Sequence, residues 1–412
     1  MRVAIVGNGV AGVTTARLLA ERDGSAEITI YTQERYLYYA RPRLVDVVGG
    51  RAAPEEIRVY PAEWYAERRI RHVLGTCVTA IDPTEHRLTL SDGAQAPYDR
   101  LVLANGASAW VPPIPGMGLP GVRTLRSMDD AVSLRDAAAP GSRALVLGGG
   151  LLGLEVAAAL EGRGVQVTVV EVFDRLLPRQ LDVEGAAVLQ QHIERSGAKI
   201  ITGQSCTGIE GEGHAERCLL KSGQALALDL LVVSAGARSN LSLAQSAGIA
   251  CGRGVTVDAR LHTSAADVLA VGDVAEFEGR VWGIVPAALA QARVAAAQLA
   301  GDESVRYVDI VPSTTLKVTG VDVTSIGEAI PEAPGAVEVR SVRPAEGLYT
   351  KLVVRDGRVV GAIMVGSRAR LRAVNMLISQ GTDVSAYQHV LLDEGFDLLG
   401  LAQQRVPVSG RE

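Results

Sequence analysis

The sequence predicts an α/β protein with two Rossmann-like dinucleotide-binding domains and a small α+β domain at the C-terminus. Three observations predict it. A unit of apolar strand, glycine turn and helix occurs twice, around Gly7-x-Gly9-x-x-Gly12 and Gly148-x-Gly150-x-x-Gly153. A hairpin and closing strand recur downstream of each turn. From about residue 313 the pattern changes to short strands and a single helix.

The first unit opens with Val3-Ala4-Ile5-Val6, an apolar run that reads as a buried parallel strand. The glycine turn follows at once, then a helix over Val10–Glu21, then a second strand, Ile28–Tyr31. The three glycines have separate tasks: a tight turn, close backbone approach to a pyrophosphate, and close helix–strand packing. The N–H groups at the start of the helix, around Val10 and Ala11, would hold the anion. Next come an aromatic and basic loop, Tyr36 to Arg43, and a helical stretch over 54–69. Strands are expected over 73–81, 87–90 and 101–104, with Asp92-Gly93 as a turn. Pro112 to Gly116 punctuates the chain.

In the second unit the strand is Arg143–Leu147, the helix spans 154–160, and the next strand, 167–170, ends in Glu171. Leu151 and Leu152 stand inside the second glycine turn, just ahead of the helix, and count with its glycines as candidate cofactor contacts. Farther on, the stretch from Asp99 to Gly106 matches that from Asp229 to Gly236. Val268–Asp273 then reads as a strand, and residues 287–300 as a helix. Strands are expected over 314–318, 337–340, 349–355 and 359–365, with a helix over 368–379. The expected domains are 1–112 with 239–312, then 113–238, then 313–412.

Composition narrows the function. The chain has 412 residues, and 41 Lys and Arg against 46 Asp and Glu leave a net charge of −5. There is no basic field to attract nucleic acid. Glu155 and Glu161 interrupt the most Ala/Leu-rich segment, so no membrane span is expected. The first strand starts at Arg2, which argues against a leader. The four cysteines, Cys77, Cys206, Cys218 and Cys251, form no CxxC pair. They read as buried free thiols in a reduced cytoplasmic setting, with no metal site.

Two dinucleotide sites in one chain imply that one dinucleotide reduces the other, with a nicotinamide as hydride donor and a flavin as acceptor. Glu171 would accept hydrogen bonds from the adenosine ribose and repel a 2′-phosphate, which favours NADH over NADPH. In the first unit Thr32 stands at the equivalent position, and either Thr32 or Glu34 would hold the ribose. Asp273 follows Gly272 at a strand end and would hold a ribityl hydroxyl, with a helix cap as the alternative. The helix near Ala287 would aim its positive end at the flavin ring.

These residues together resemble the pyridine-nucleotide-dependent FAD oxidoreductases, in the branch of rubredoxin reductases and the FAD-binding part of nitrite reductases. The resemblance is carried by Val6–Gly12, Tyr39–Leu44, Leu103–Ala107, Gly148–Glu155, Ala235–Asn240, Val271–Asp273 and Thr315–Asp322. It implies a glutathione-reductase-like fold, with FAD in the first, discontinuous domain and NADH in the second. It implies that Val78 meets the adenine, that Arg41 and Pro42 lie beside the flavin, and that Glu155 lies near the nicotinamide. It also assigns Ala104, Asn105, Gly106 and Val285 to cofactor contacts, and Gly236 to the second site. Ala104-Asn105-Gly106 replaces the Ala-Thr-Gly usual in the family. Asp46 stands where some ferredoxin reductases carry a lysine near flavin N5.

Disulfide reductases and cysteine-based peroxidases of the wider family need a cysteine beside the flavin, but none precedes Cys77. No acid–base residue is assigned, because hydride transfer depends on holding donor and acceptor together. The expected activity is hydride transfer from NADH to FAD, then electron transfer to a small rubredoxin- or ferredoxin-type protein. The alternatives are an oxidase or tailoring flavoenzyme, and a slow redox-sensing flavoprotein. A homodimer is left open. Lys317 reads as a strand-edge lysine or a partner contact. Tyr349, Arg368, Arg370 and Arg372 read as a docking patch or as a solvated helix face.

Overall fold

The computed structural model describes residues 1–318 and 320–403, without the side chains of 316–318. In chain order, β1 (Arg2–Val6), α1 (Val10–Arg22) and β2 (Glu27–Tyr31) form the first βαβ start. Two short helices, α2 (Leu44–Val48) and α3 (Ala62–Glu67), precede β3 (Ile70–Val73). A ribbon of β4 (Val78–Asp82), β5 (Arg87–Leu90) and β6 (Gln95–Pro97) leads to β7 (Arg100–Leu103) and β8 (Ala107–Ala109). Then come β9 (Val122–Arg123), α4 (Met128–Ala137), β10 (Arg143–Leu147), α5 (Leu151–Glu161), β11 (Gln166–Val170), α6 (Val183–Ser196) and β12 (Lys199–Ile201). The second ribbon is β13 (Cys206–Glu210), β14 (Arg217–Leu220) and β15 (Ala225–Ala227), followed by β16 (Leu230–Val233) and β17 (Ala237–Ser239). After α7 (Ser242–Ser246) come β18 (Val255–Val257), β19 (Val268–Ala270), β20 (Ala275–Phe277) and α8 (Val285–Leu299). The last part holds β21 (Ser313–Val318), β22 (Val321–Gly327), β23 (Val337–Arg343), β24 (Leu348–Arg355), β25 (Arg358–Val365), α9 (Leu371–Gln380) and α10 (Leu398–Ala402).

The chain divides into two compact units. One comprises Met1–Trp110, Leu125–Arg135 and Gly236–Ile310; the other comprises Val111–Thr124, Asp136–Ala235 and Val311–Glu412. The segment Leu125–Arg135 thus belongs with the first unit, although it lies inside the stretch that the sequence reading gives to the second.

In the first unit a parallel sheet runs β19-β7-β1-β2-β3, with β1 between β2 and β7. Its core includes Val3, Ile5, Ile28, Ile30, Leu101 and Val102 against Ala16 and Leu19 of α1. The second unit has a parallel sheet in the order β12-β11-β10-β16-β9, with β10 in the place of β1. Each sheet carries its three-stranded ribbon just before the closing strand. The remainder of the second unit is an antiparallel sheet, β21-β22-β25-β24-β23. Its core packs Leu352, Val354 and Ile326 with Val374 and Leu377 of α9.

Several boundaries differ from expectation. The strand expected over 73–81 is broken at 74–77, and its halves, β3 and β4, belong to different sheets. Gly75 at φ +67° makes the turn between them. The helical stretch over 54–69 shrinks to a single 3₁₀ turn at Pro54–Ile57 and the short α3. The helix expected from 368 begins at Leu371. Helices α4 and α6 are additional to those expected from the sequence pattern.

Candidate functional site

The two glycine turns are built alike, and each glycine can be tested by asking what a Cβ would meet. Gly7 and Gly148 both sit at φ +118°. A Cβ would lie 2.1 Å from Ala104 O at Gly7 and 2.3 Å from Ser234 O at Gly148. At the third glycines, Gly12 and Gly153, it would lie 2.1 Å from Gly7 O and 2.0 Å from Gly148 O. At Gly9 and Gly150 it would meet nothing within 4 Å. Protein packing therefore accounts for the outer glycines and leaves the middle one unexplained. A backbone kept clear for a ligand explains it.

The helix starts agree. Gly9 caps α1 and Gly150 caps α5, and neither helix has a side-chain cap or an acidic residue in its first turn. By contrast, Asp182 caps α6 by accepting from Gly185 N. The uncapped N–H groups of α1 and α5 remain available to a phosphate. Two buried acceptors in the first unit, Asn8 Oδ1 and Asn105 Oδ1, have no hydrogen-bond partner within the protein. A polar ligand beside this turn would satisfy them. The residues present fit a dinucleotide in each unit.

In the second unit Glu171 follows the end of β11 and is 5% exposed. Its carboxylate accepts from Gly149 N at 2.6 Å and Phe173 N at 2.9 Å. These bonds fix it beside the glycine turn while leaving acceptor positions open. Arg175, the nearest downstream cation, turns into its own loop. It donates to Leu181 O at 3.1 Å and Pro178 O at 3.3 Å and pairs with Asp174. Leu151 and Leu152 open α5, and Glu155 lies one turn further along it.

In the first unit a polar chain joins residues distant in sequence. Glu34 accepts from Arg41 Nη2 at 2.6 Å and from the Tyr39 hydroxyl. Arg41 also donates to Arg126 O at 2.6 Å, and Arg126 Nη2 lies 2.5 Å from Asp273 Oδ2. Burial raises the Tyr39 hydroxyl pKa, so Tyr39 acts as a neutral donor to Glu34. For Arg41, burial works against the charge, but the Tyr39 and Glu34 contacts outweigh it and hold the guanidinium protonated. Pro42 sits in the 3₁₀ turn Arg41–Arg43. Thr32 is 8% exposed, and its hydroxyl accepts from Glu34 N at 3.2 Å. Asp46 pairs with Arg43 and Arg51, each at 3.1 Å.

Asp273 follows Gly272, where φ is +77° and a Cβ would lie 2.8 Å from Ala11 Cβ. The end of β19 is thereby pressed against the first turn of α1. Gly272 N donates to Gln291 Oε1 of α8 at 2.7 Å. The expectation that α8 starts near Ala287 is corrected: it starts at Val285, with Pro286 in its first turn. Asn105 and Asn240 each donate a side-chain amide to the other's carbonyl, at 2.9 and 2.8 Å, where β8 pairs with β17. Gly106 (φ +65°) accepts there from Asn240 N, and Gly236 (φ +105°) accepts from Trp110 N. The contacts of the polar chain do not extend to Val78, which opens β4, or to Val285.

Arg126 escaped sequence reasoning. The signal was present: Ser127 and Asp130 form a reciprocal capping box at the start of α4. That box also binds Arg126 N to Asp130 Oδ2 at 2.8 Å and fixes where Arg126 points.

The docking patch does not form. Tyr349 is fully buried, Arg368 pairs with Asp322, and Arg370 donates to the carbonyls of Leu391, Leu392 and Asp393. Arg372 stays on the solvated face of α9. The Lys317 side chain lies outside the described residues. Cys77 is exposed and Cys251 is half-buried, against the expectation of four buried thiols. No group of three or more potential metal ligands occurs among the described residues. No helix among them is long and apolar enough to cross a membrane.

Comparison with known proteins agrees with this geometry. The pyridine nucleotide-disulphide oxidoreductase family matches residues 1–298, and the rubredoxin NAD+ reductase C-terminal domain matches residues 312–382. The chain is 32% identical to a nitrite reductase [NAD(P)H] of Bacillus subtilis, over 93% of this chain and 48% of the relative. It spans about half the length of that relative and of other curated proteins similar to it. It is 33% identical to the ferredoxin–NAD(+) reductase subunit of the benzene 1,2-dioxygenase system of Pseudomonas putida, over 91% of this chain and 92% of that one. Among solved structures, the covalent putidaredoxin reductase–putidaredoxin complex matches with a TM-score of 0.89 and 27% identity, over 98% of both chains. Two glycine turns with open middle positions, repeated on two parallel sheets, and a match over most of the sequence show that the chain belongs to the pyridine nucleotide-disulphide oxidoreductase family.

Proposed function

We propose that this protein is an FAD-dependent NADH oxidoreductase that passes electrons to a small rubredoxin- or ferredoxin-type protein. The observation that carries the proposal is the paired turn in which Gly9 and Gly150 face open space. When bound, FAD accepts hydride from NADH and releases the electrons one at a time.

In this reading Gly7, Gly9 and Gly12, with the N–H groups of Val10 and Ala11, hold the FAD pyrophosphate. Glu34 or Thr32 holds its ribose, and Val78 meets the adenine. Ala104, Asn105 and Gly106 line the closing strand end. Arg41, Pro42, Arg126, Asp273 and the start of α8 at Val285 surround the flavin side. Gly148, Gly150, Gly153, Leu151 and Leu152 hold the NADH pyrophosphate, and the family resemblance assigns Gly236 to the same nucleotide. Glu171 takes the ribose hydroxyls, and Glu155 lies toward the nicotinamide. Glu171 has no free cation next to it in sequence, and this supports NADH over NADPH.

The domains proposed are 1–112 with 239–312 for FAD, 113–238 for NADH apart from Leu125–Arg135, which packs with the first unit, and 313–412 as the third. The repeat of sheet and ribbon supports the first two. A cytoplasmic setting is supported by four free cysteines. Self-association into a dimer is tested by sedimentation.

The test is anaerobic mixing of the purified protein with NADH and, separately, with NADPH, then with air or with a small iron–sulfur protein. Fast bleaching by NADH, slow reoxidation in air and fast reoxidation by the iron–sulfur protein are expected. Fast reoxidation in air would favour the oxidase instead. Failure to bind FAD would overturn the proposal.

A further inference from the structure

Lys351 lies on β24, is 1% exposed, and is the one buried lysine among the described residues. Its ammonium is 2.7 Å from Asp182 Oδ2 and 3.2 Å from Glu338 Oε1. Tyr349 is two residues earlier on the same strand and also fully buried. Its hydroxyl donates to the same Asp182 Oδ2 at 2.6 Å. The other Asp182 oxygen accepts from Gly185 N at 2.9 Å and caps α6. Burial opposes the charge on Asp182, yet the bonds from Lys351, Tyr349 and Gly185 N hold its carboxyl below the ordinary value. Nearby, Arg340 reaches Glu184 at 3.5 Å, and His192 Nε2 lies 2.9 Å from Gly347 O. The C-terminal sheet thus grips the start of α6 through polar contacts.

Packing alone does not require this. An apolar side chain at 351 would cover α6 without desolvating a cation and two carboxylates. Such a cluster is directional, however, and fixes the place of the residue it holds.

Asp182 ends a loop with a definite beginning. The loop leaves Glu171, whose carboxylate is tied to Gly149 N and Phe173 N. Halfway along, Leu177 N donates to Gly149 O, and Leu177 is held at φ +49°. Between this loop and the C-terminal sheet lies a cavity of about 430 Å³, with Arg175, Arg179 and Gln180 on one side and Thr314, Ser325 and Glu328 on the other. Leu176, Leu177 and Leu181 bury the inner side of the loop, while the stretch through Pro178, Arg179 and Gln180 faces the cavity, so Asp182 is the hold at the end of the loop's open stretch.

We propose that Lys351, with Tyr349, is a positioning residue for the nicotinamide-nucleotide site, holding Asp182 and so the far end of the loop that begins at Glu171. The C-terminal domain then braces coenzyme binding. This rests on the reading of Glu171 as the ribose-binding carboxylate.

The test is equilibrium titration of the FAD-loaded 412-residue chain with NAD+. Lys351→Met raises the Kd for NAD+ about tenfold, and Tyr349→Phe raises it about threefold. FAD stays bound, and the loss falls on KM for NADH rather than on the limiting rate of flavin reduction. A lowered Tm with unchanged Kd in both variants overturns the proposal. Should Lys351→Met fail to fold, Tyr349→Phe, which keeps the ion pair and nearly the same volume, carries the test. Glu171→Ala separates the two ideas. If it weakens NAD+ binding while the other variants do not, the positioning role alone fails. If it leaves NAD+ binding intact, the reading beneath it fails.

Discussion

Each glycine in the first turn answers to a different constraint, and substitution separates them. Gly12→Ala puts a methyl group 2.1 Å from Gly7 O, so backbone must move. It is expected to cost about 1–3 kcal/mol, read as a lower urea midpoint with or without FAD. Gly9→Ala meets nothing within 4 Å and should fold as before. It should nevertheless lose FAD affinity, because the new methyl group occupies the ligand's approach. Equal stability with retained yellow colour in Gly9→Ala would refute the assignment of that space. At Glu171 the expected change is in preference. Glu171→Ala removes the acceptor of the ribose hydroxyls and the charge that repels a 2′-phosphate. NADH should weaken about tenfold while NADPH does not, as kcat/KM for each coenzyme would show.

At the scale of elements, the repeat is physical as well as sequential. Asp99 accepts from Arg2 N and the Arg2 guanidinium, and Asp229 does the same for Arg143. Each carboxylate ties the entrance of a closing strand to the entrance of a central one. The side-chain bond to its arginine, reinforced by the backbone N–H, lowers each pKa to about 2. A depressed carboxylate contributes stability that is complete above its unfolded value near 4 and is lost as pH falls through about 2. The Tm difference between wild type and Asp229→Asn should therefore be full at about pH 5 and shrink toward about pH 2. A difference that does not change with pH would show that the pair contributes nothing through its charge. The crossing of β8 and β17 depends on the reciprocal Asn105–Asn240 amides. Asn240→Ala removes the bonds to Asn105 O and Ser108, and about 1–2 kcal/mol is expected in denaturant unfolding.

For the whole molecule, each dinucleotide is a ligand of the folded state alone. NAD+ at about a hundred times its Kd should add about 2.7 kcal/mol to the unfolding free energy. Differential scanning calorimetry would read this as a higher Tm, and Glu171→Ala, binding about tenfold more weakly, should remove about half of the gain. An equal rise with NADPH would contradict the proposed coenzyme preference.

Local pattern made much of this legible. Apolar runs, glycine turns and the internal repeat identify both parallel sheets, because buried parallel strands and phosphate turns leave their signature within about thirty residues. The sequence alone likewise put Glu171 and Asp273 just beyond strand ends. Tertiary structure decided what depends on partners far along the chain. The pairing of Arg126 with Asp273 spans 147 residues, and that of Asp182 with Tyr349 spans 167. Tyr349 and the arginines near α9 read equally well as a surface patch, since burial and ion pairing are not written in residue type. The break between β3 and β4 was hidden too, because an apolar run does not show which sheet each half will join.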